Sequence, residues 1–173
     1  MSSRLPERVD PWRLADQAAT LVGTFALGEM PRLAPLLADS GGEVRFTLSF
    51  GRDADRRAVI RGEVAAELPL LCQRCLAAFG LSVDSRVMLA VVTGPDEANA
   101  LPEQYEALLA EEATVRLRDI VEEELLLSVP AVPRHDDTGC SPADSGARRA
   151  GDSTSSSKPF DVLAGLRGRP DKD

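Results

Sequence analysis

The sequence predicts an α+β fold in which an antiparallel β-meander sheet carries helices packed on one face. Three observations lead there. Apolar and polar residues alternate with period two through three successive segments, at 44–50, 60–70 and 79–91, the pattern of half-buried strands. The links between these segments are short, which suits antiparallel neighbours. Beyond them Leu117, Ile120, Val121 and Leu125 recur at helical spacing, an apolar stripe suited to covering a sheet face.

The elements follow in order. Asp10 is placed to cap a helix whose first turn holds Pro11,. Trp12, Ala15, Ala19 and Val22 supply its stripe, and Gly23 is the expected end,. Pro31 and Pro35 restrict the next stretch to one short helix over 31–38, and Ser40-Gly41-Gly42 is a turn. In the first long strand Val44, Phe46, Leu48 and Phe50 alternate with Arg45, Thr47 and Ser49. A charged turn leads to the second, where Ile60, Val64, Leu68 and Leu70 share a face with Gly62 and Ala66. Arg61, Glu63 and Glu67 take the other face, and Pro69 suits a strand end,. In the third, Phe79, Leu81, Val83, Val87, Leu89 and Val91 alternate with polar or small residues until Thr93-Gly94-Pro95 breaks the run. The acidic stretch 96–112 reads as a loop plus a short helix at 102–109. The last helix spans 117–127 and is closed by Ser128-Val129-Pro130. Residues 1–135 thus form one α+β domain, 136–157 a disordered linker with little to bury, and 158–173 a tail,. In that tail Pro159, Phe160, Leu163 and Leu166 make a short amphipathic motif.

Composition narrows the function. A chain of 173 residues, 43% hydrophobic and 28% charged, has enough apolar material for one real core,. It holds no apolar run of the roughly 18 to 20 residues that a membrane helix needs. Residues 1–10 lack the layout of a signal peptide, so a cytoplasmic protein with no membrane partner is expected. The net charge of −8 is local: 96–128 holds ten acids and two bases, and the rest has 18 of each sign. A general polyanion binder is disfavoured, while local basic patches stay open. Eighteen of the 20 bases are Arg, with only Lys158 and Lys172 besides, and no G-x-x-x-x-G-K-[ST] loop occurs,. Three Cys and one His do not suggest a disulfide scaffold, and they exclude a two-His metalloprotease or iron site.

Cys72-Gln73-Arg74-Cys75 joins the second and third strands and is the sharpest local feature. Two Cys separated by two residues in a tight turn form half of a zinc knuckle. The remaining Cys and the sole His stand as His135-x-x-x-x-Cys140, so Cys72, Cys75, His135 and Cys140 compose one C-x2-C…H-x4-C set. The alternative is a pair of partly buried thiols packing as small apolar side chains. A thioredoxin-like redox motif would open a helix, whereas here an alternating strand follows within four residues,. No cofactor is otherwise implied, and no catalytic set emerges: G-x-S-x-G is absent and His135 sits in polar sequence,. Residues 45–86 hold seven Arg against five acids. Arg45, Arg61, Arg74 and Arg86 would make a modest RNA-facing patch if they gather, or else an ordinary solvated face. Glu122, Glu123 and Glu124 point about 100° apart on a helix and cannot converge on an ion alone. They read as a solvated acidic face or a dock for a basic protein.

Four separated blocks occur in order. They are Leu71-Cys72-Gln73-Arg74-Cys75-Leu76 with Phe79, then Leu101-Pro102-Glu103-Gln104-Tyr105-Glu106. Val121-Glu122-Glu123-Glu124-Leu125-Leu126-Leu127-Ser128-Val129-Pro130 follows, with Val132-Pro133-Arg134-His135 and Cys140, and finally Lys158-Pro159-Phe160-Asp161-Val162-Leu163-Ala164-Gly165-Leu166. Together they resemble the bacterial YceD family, the large ribosomal RNA subunit accumulation proteins. The resemblance implies a non-enzymatic factor for synthesis, processing or stability of 23S ribosomal RNA. Its partners would be that RNA, its precursor or a basic ribosomal protein. Some relatives carry a second Cys pair where this chain has His135 and Cys140, so a four-Cys site does not transfer. The competing reading is a zinc- or thiol-dependent regulatory or redox module centred on the C-x-x-C knuckle.

Overall fold

The structure, a computed structural model, describes residues 5–110, 113–135 and 140. The linker and tail expected at 136–157 and 158–173 lie outside these residues, Cys140 apart. In chain order the elements are β1 (Arg8–Val9), α1 (Pro11–Asp16), β2 (Thr20–Ala26), β3 (Glu43–Arg52), β4 (Ala58–Leu71), β5 (Ala78–Val92), α2 (Pro95–Asn99), β6 (Glu106–Leu109), β7 (Val115–Arg116) and α3 (Leu117–Ser128). Single 3₁₀ turns at Leu27–Glu29 and Ala34–Leu36 link β2 to β3.

The expected meander is present, within a larger sheet. Its order is β2-β3-β4-β5-β6, and β1 pairs with β7 in a separate ribbon. From β2 to β5 every pairing is antiparallel, whereas β6 runs parallel to β5. The sheet is therefore mixed at one edge rather than wholly antiparallel. The even residues of β3 and β4 and the odd residues of β5 point to the core, as the alternation predicts. Val44, Phe46, Leu48, Phe50, Ile60, Val64, Leu68, Leu70, Val83 and Val87 are buried there with Leu117, Ile120, Val121 and Leu125 of α3. Gly62 sits on that inner face, where an added Cβ would collide with the Thr47 carbonyl oxygen of the neighbouring strand. Only glycine permits so close an approach at the centre of the sheet.

Three expectations are corrected. The first helix ends at Asp16, not at Gly23. Its start is as expected: Pro11 opens it, and the Asp10 carboxylate accepts the Arg13 N–H at 3.0 Å. Ala19 leads into a strand and Val22 lies within it, because Leu21, Gly23 and Phe25 face inward and Phe25 stacks on Phe46 at 5.1 Å. Gly23 is no helix cap; it leaves room for the Leu5 side chain. In place of the helix expected over 31–38 there are a turn at 31–33 and the 3₁₀ turn Ala34–Leu36, since Pro31 and Pro35 withhold N–H groups and disfavour α geometry at the residue before each. The link between β2 and β3 still plugs the core with Leu27, Met30 and Leu33, all fully buried. Finally, the helix expected at 102–109 is the strand β6, and the helical turn lies earlier, in α2. A short apolar run such as Ala107-Leu108-Leu109 has no decisive period, and the open backbone edge of β5 recruits it.

Candidate functional site

The β4–β5 hairpin is continuous in register from Val59 opposite Ala90 to Leu71 opposite Ala78. Six residues close it, and backbone bonds make the turn tight: the Cys72 N–H donates to the Ala77 carbonyl at 2.9 Å, and the Leu76 N–H donates to the Cys72 carbonyl at 2.8 Å. Leu76 takes φ +61°, a left-handed conformation that a branched-chain residue adopts only when its surroundings impose it. The segment after α3 folds back on this turn, where the Gln73 N–H donates to the Pro133 carbonyl at 2.9 Å.

That return brings the four sequence-predicted ligands together. One ligand atom from each of Cys72, Cys75, His135 and Cys140 lies within 4.8 Å of all the others. The Cys72 and Cys140 sulfurs are 3.6 Å apart, and the Cys75 sulfur is 3.9 Å from His135 Nε2. Cys72 and Cys140 are buried, while Cys75 is half-buried. Burial pushes the Cys72 thiol up, but N–H groups of Cys75, Arg74 and His135 aimed at its sulfur, with the Cys140 thiol, outweigh this and hold it well below the usual thiol range. Burial and the neighbouring Cys72 and Cys75 sulfurs push the Cys140 thiol up. His135 packs against Phe79 with ring centroids 5.6 Å apart, and its Nδ1 is buried without a hydrogen-bond partner among the described residues.

The arginines divide into two places. Antiparallel register sets three of them on the outer sheet face in adjacent rows. The rows read Thr20, Ser49, Arg61, Met88; then Val22, Thr47, Glu63, Arg86; then Thr24, Arg45, Ala65, Asp84. A shallow depression of about 450 Å³ lies among Thr47, Ser49, Arg61, Glu63, Arg86 and Met88. Arg45, Arg61 and Arg86 are exposed, and among the described residues none forms an ion pair. Arg61 donates to the Tyr105 hydroxyl at 2.9 Å. Tyr105, with Leu101, covers Val59 and Ala90 at one end of this face. Its role was not legible beforehand, because a lone Tyr in an acidic stretch carries no periodic signal. Arg74 is exposed in the knuckle, roughly 25 to 35 Å along the hairpin from Arg61 at the rise of a strand. It does not join the other three.

The acidic triplet does not form one outward face. Glu122 is 2% exposed, and its Oε1 accepts the N–H groups of Arg32 at 2.7 Å and Leu33 at 3.0 Å. Glu124 is buried and accepts the Ser85 hydroxyl at 2.9 Å. Burial raises its pKa, the Ser85 bond opposes this, and Glu106 and Glu123 add to the rise. Only Glu123 faces solvent, and it pairs with Arg32.

Comparison with known proteins agrees with the ordered motifs. The family model described as "Large ribosomal RNA subunit accumulation protein YceD" matches residues 60–167. That span begins in β4 and contains the knuckle, β5, α3, His135 and Cys140, but not the strand bearing Arg45. The large ribosomal RNA subunit accumulation protein YceD of Haemophilus influenzae is 33% identical over 138 residues, covering 79% of each chain. No solved structure matches.

Proposed function

The chain belongs to the YceD family, and on that footing we propose that it is a non-enzymatic factor for the accumulation of large-subunit ribosomal RNA. It acts by binding the RNA or its precursor directly, on the outer face of the sheet. The observation that carries this reading is the set Arg45, Arg61 and Arg86, exposed together on the outer sheet face with no ion-pair partner among the described residues. Guanidinium forks suit bidentate phosphate contacts, and the Thr47 and Ser49 hydroxyls beside them add neutral donors,. Glu63 and Asp84 lie between the arginines, so the grip is local and spaced rather than a broad positive field. Among the described residues this face carries no exposed aromatic side chain for base stacking, which points to backbone contacts over sequence readout.

A basic ribosomal protein as the direct partner is less well supported. It would use the acids of α3, and of its four, Asp119, Glu122, Glu123 and Glu124, two (Glu122 and Glu124) are committed to internal hydrogen bonds. A thiol-exchange module is also less well supported, because the Cys72 sulfur is buried away from an attacking partner,.

Titration of the purified protein with a large-subunit precursor RNA fragment at several salt concentrations tests the proposal. Replacing Arg45, Arg61 and Arg86 together with Gln should weaken binding and lower the slope of log affinity against log salt by about 2 to 3. Unchanged affinity and slope would remove the sheet face from the proposal. Co-purification with a large-subunit protein that survives RNase, without binding to naked RNA, would transfer the role to a protein partner.

A further inference from the structure

We propose that Cys72, Cys75, His135 and Cys140 bind one zinc ion, and that the ion fastens the segment after α3 to the tip of the β4–β5 hairpin. This does not depend on the RNA reading. The donor set is three sulfurs and an imidazole, drawn from two chain segments about sixty residues apart and converging within 4.8 Å. In a tetrahedral site with ordinary zinc–sulfur and zinc–nitrogen lengths, ligand atoms stand about 3.5 to 3.8 Å from one another. The observed separations of 3.6 and 3.9 Å are already near that value. Thiolates and imidazole select zinc over magnesium or calcium, which prefer oxygen. Four protein ligands would leave no open position, so the ion would be structural rather than catalytic.

Two independent features of the fold make sense on this basis. The first is the turn itself. Backbone N–H groups of Arg74, Cys75 and His135 converge on the Cys72 sulfur, as a coordinated thiolate with excess negative charge requires. The second is the path of the chain after α3. Residues 131–135 have no helix or strand, and among the described residues one backbone–backbone hydrogen bond, from the Gln73 N–H to the Pro133 carbonyl, joins them to the knuckle. His135 packs on Phe79 there, while the two buried thiols, the half-buried thiol and the half-buried imidazole that converge beside it meet at 3.6 and 3.9 Å, weak contacts for thiol donors. Coordination supplies the missing attachment. Each thiol that binds loses its proton to solvent, and the metal keeps its 2+ charge throughout, so no oxidant or reductant is needed.

The experiment uses the full chain, purified without metal-affinity tags under reducing conditions. The expected result is close to one zinc per chain by mass spectrometry of the metal. Replacement by cobalt should give the intense absorption of tetrahedral thiolate coordination. His135→Ala and Cys140→Ser leave both knuckle cysteines in place and should each lower retained zinc by about tenfold or more. Trypsin should cut after Arg134, exposed in the returning segment, much faster in chelator-treated protein than in loaded protein, while the circular-dichroism signal of the sheet persists. Zinc far below stoichiometry with three freely titrating thiols in the native protein would overturn the proposal. So would stoichiometric zinc that survives Cys72→Ser with Cys75→Ser, because the metal would then lie elsewhere.

Discussion

Glu122 shows how a residue that looks like surface can be structural. Its carboxylate holds two adjacent N–H groups, of Arg32 and Leu33, in the Pro-containing link between β2 and β3. Among the described residues no backbone carbonyl takes these two N–H groups, so the carboxylate supplies their acceptor. Glu122→Ala would strand both donors in a buried site and should cost about 2 to 4 kcal/mol of unfolding free energy. Glu122→Gln keeps an acceptor oxygen and should cost clearly less; equal midpoints in urea for both variants would disprove this role. Glu124 has the opposite balance. Burial, then Glu106 and Glu123, raise its pKa above the ordinary 4.5 despite the Ser85 hydroxyl. Between the ordinary and the raised pKa the folded protein therefore holds a proton that the unfolded chain has already released,. Stability from this site is present below the ordinary carboxylate pKa and is lost as pH rises through the raised one. Glu124→Gln cannot ionise and still accepts from Ser85. It should melt at a higher temperature than the wild type near neutrality, and the gap should close toward about pH 4. A gap independent of pH would show that ionisation of Glu124 is not its source.

At the scale of elements, α3 is the part of the fold that its own periodicity describes best. Leu117, Ile120, Val121 and Leu125 are buried as the spacing predicts, because a long amphipathic helix can satisfy its stripe against only one sheet face. Leu125 is fully buried in the core that α3 makes with the inner face of the sheet. Leu125→Ala should cost about 2 to 5 kcal/mol, read as a shift of the denaturation midpoint; an unshifted midpoint would mean that the helix does not pack through this residue. The long strands are equally legible, since β3, β4 and β5 keep alternation over many residues. The short elements are not. In β2, Gly23 reads as a helix stop only when its strand partner is unknown. In β6, four residues of mixed character become a parallel edge strand because β5 offers unpaired backbone groups beside them. Neither fact is written in the local pattern.

For the molecule as a whole, two separate surfaces divide the proposed tasks, one on the outer face of β3, β4 and β5 and the other at the tip of the β4–β5 hairpin. Arg45, Arg61 and Arg86 lie on the sheet's outer face, and the cysteines with His135 lie at its tip. The sequence alone determined the three-strand meander, the covering helix, the knuckle and the side of each strand that faces outward. These depend on period and on neighbours in the chain, which a linear reading contains. It also named the four candidate ligands, because the chain has so few Cys and His. Only the tertiary structure decided that His135 and Cys140 return to the knuckle, that Arg74 stands apart from the other arginines, and that Glu122 and Glu124 turn inward. Each of those outcomes depends on which distant backbone or side chain arrives alongside, and distances between residues sixty or ninety positions apart are set by packing rather than by local pattern.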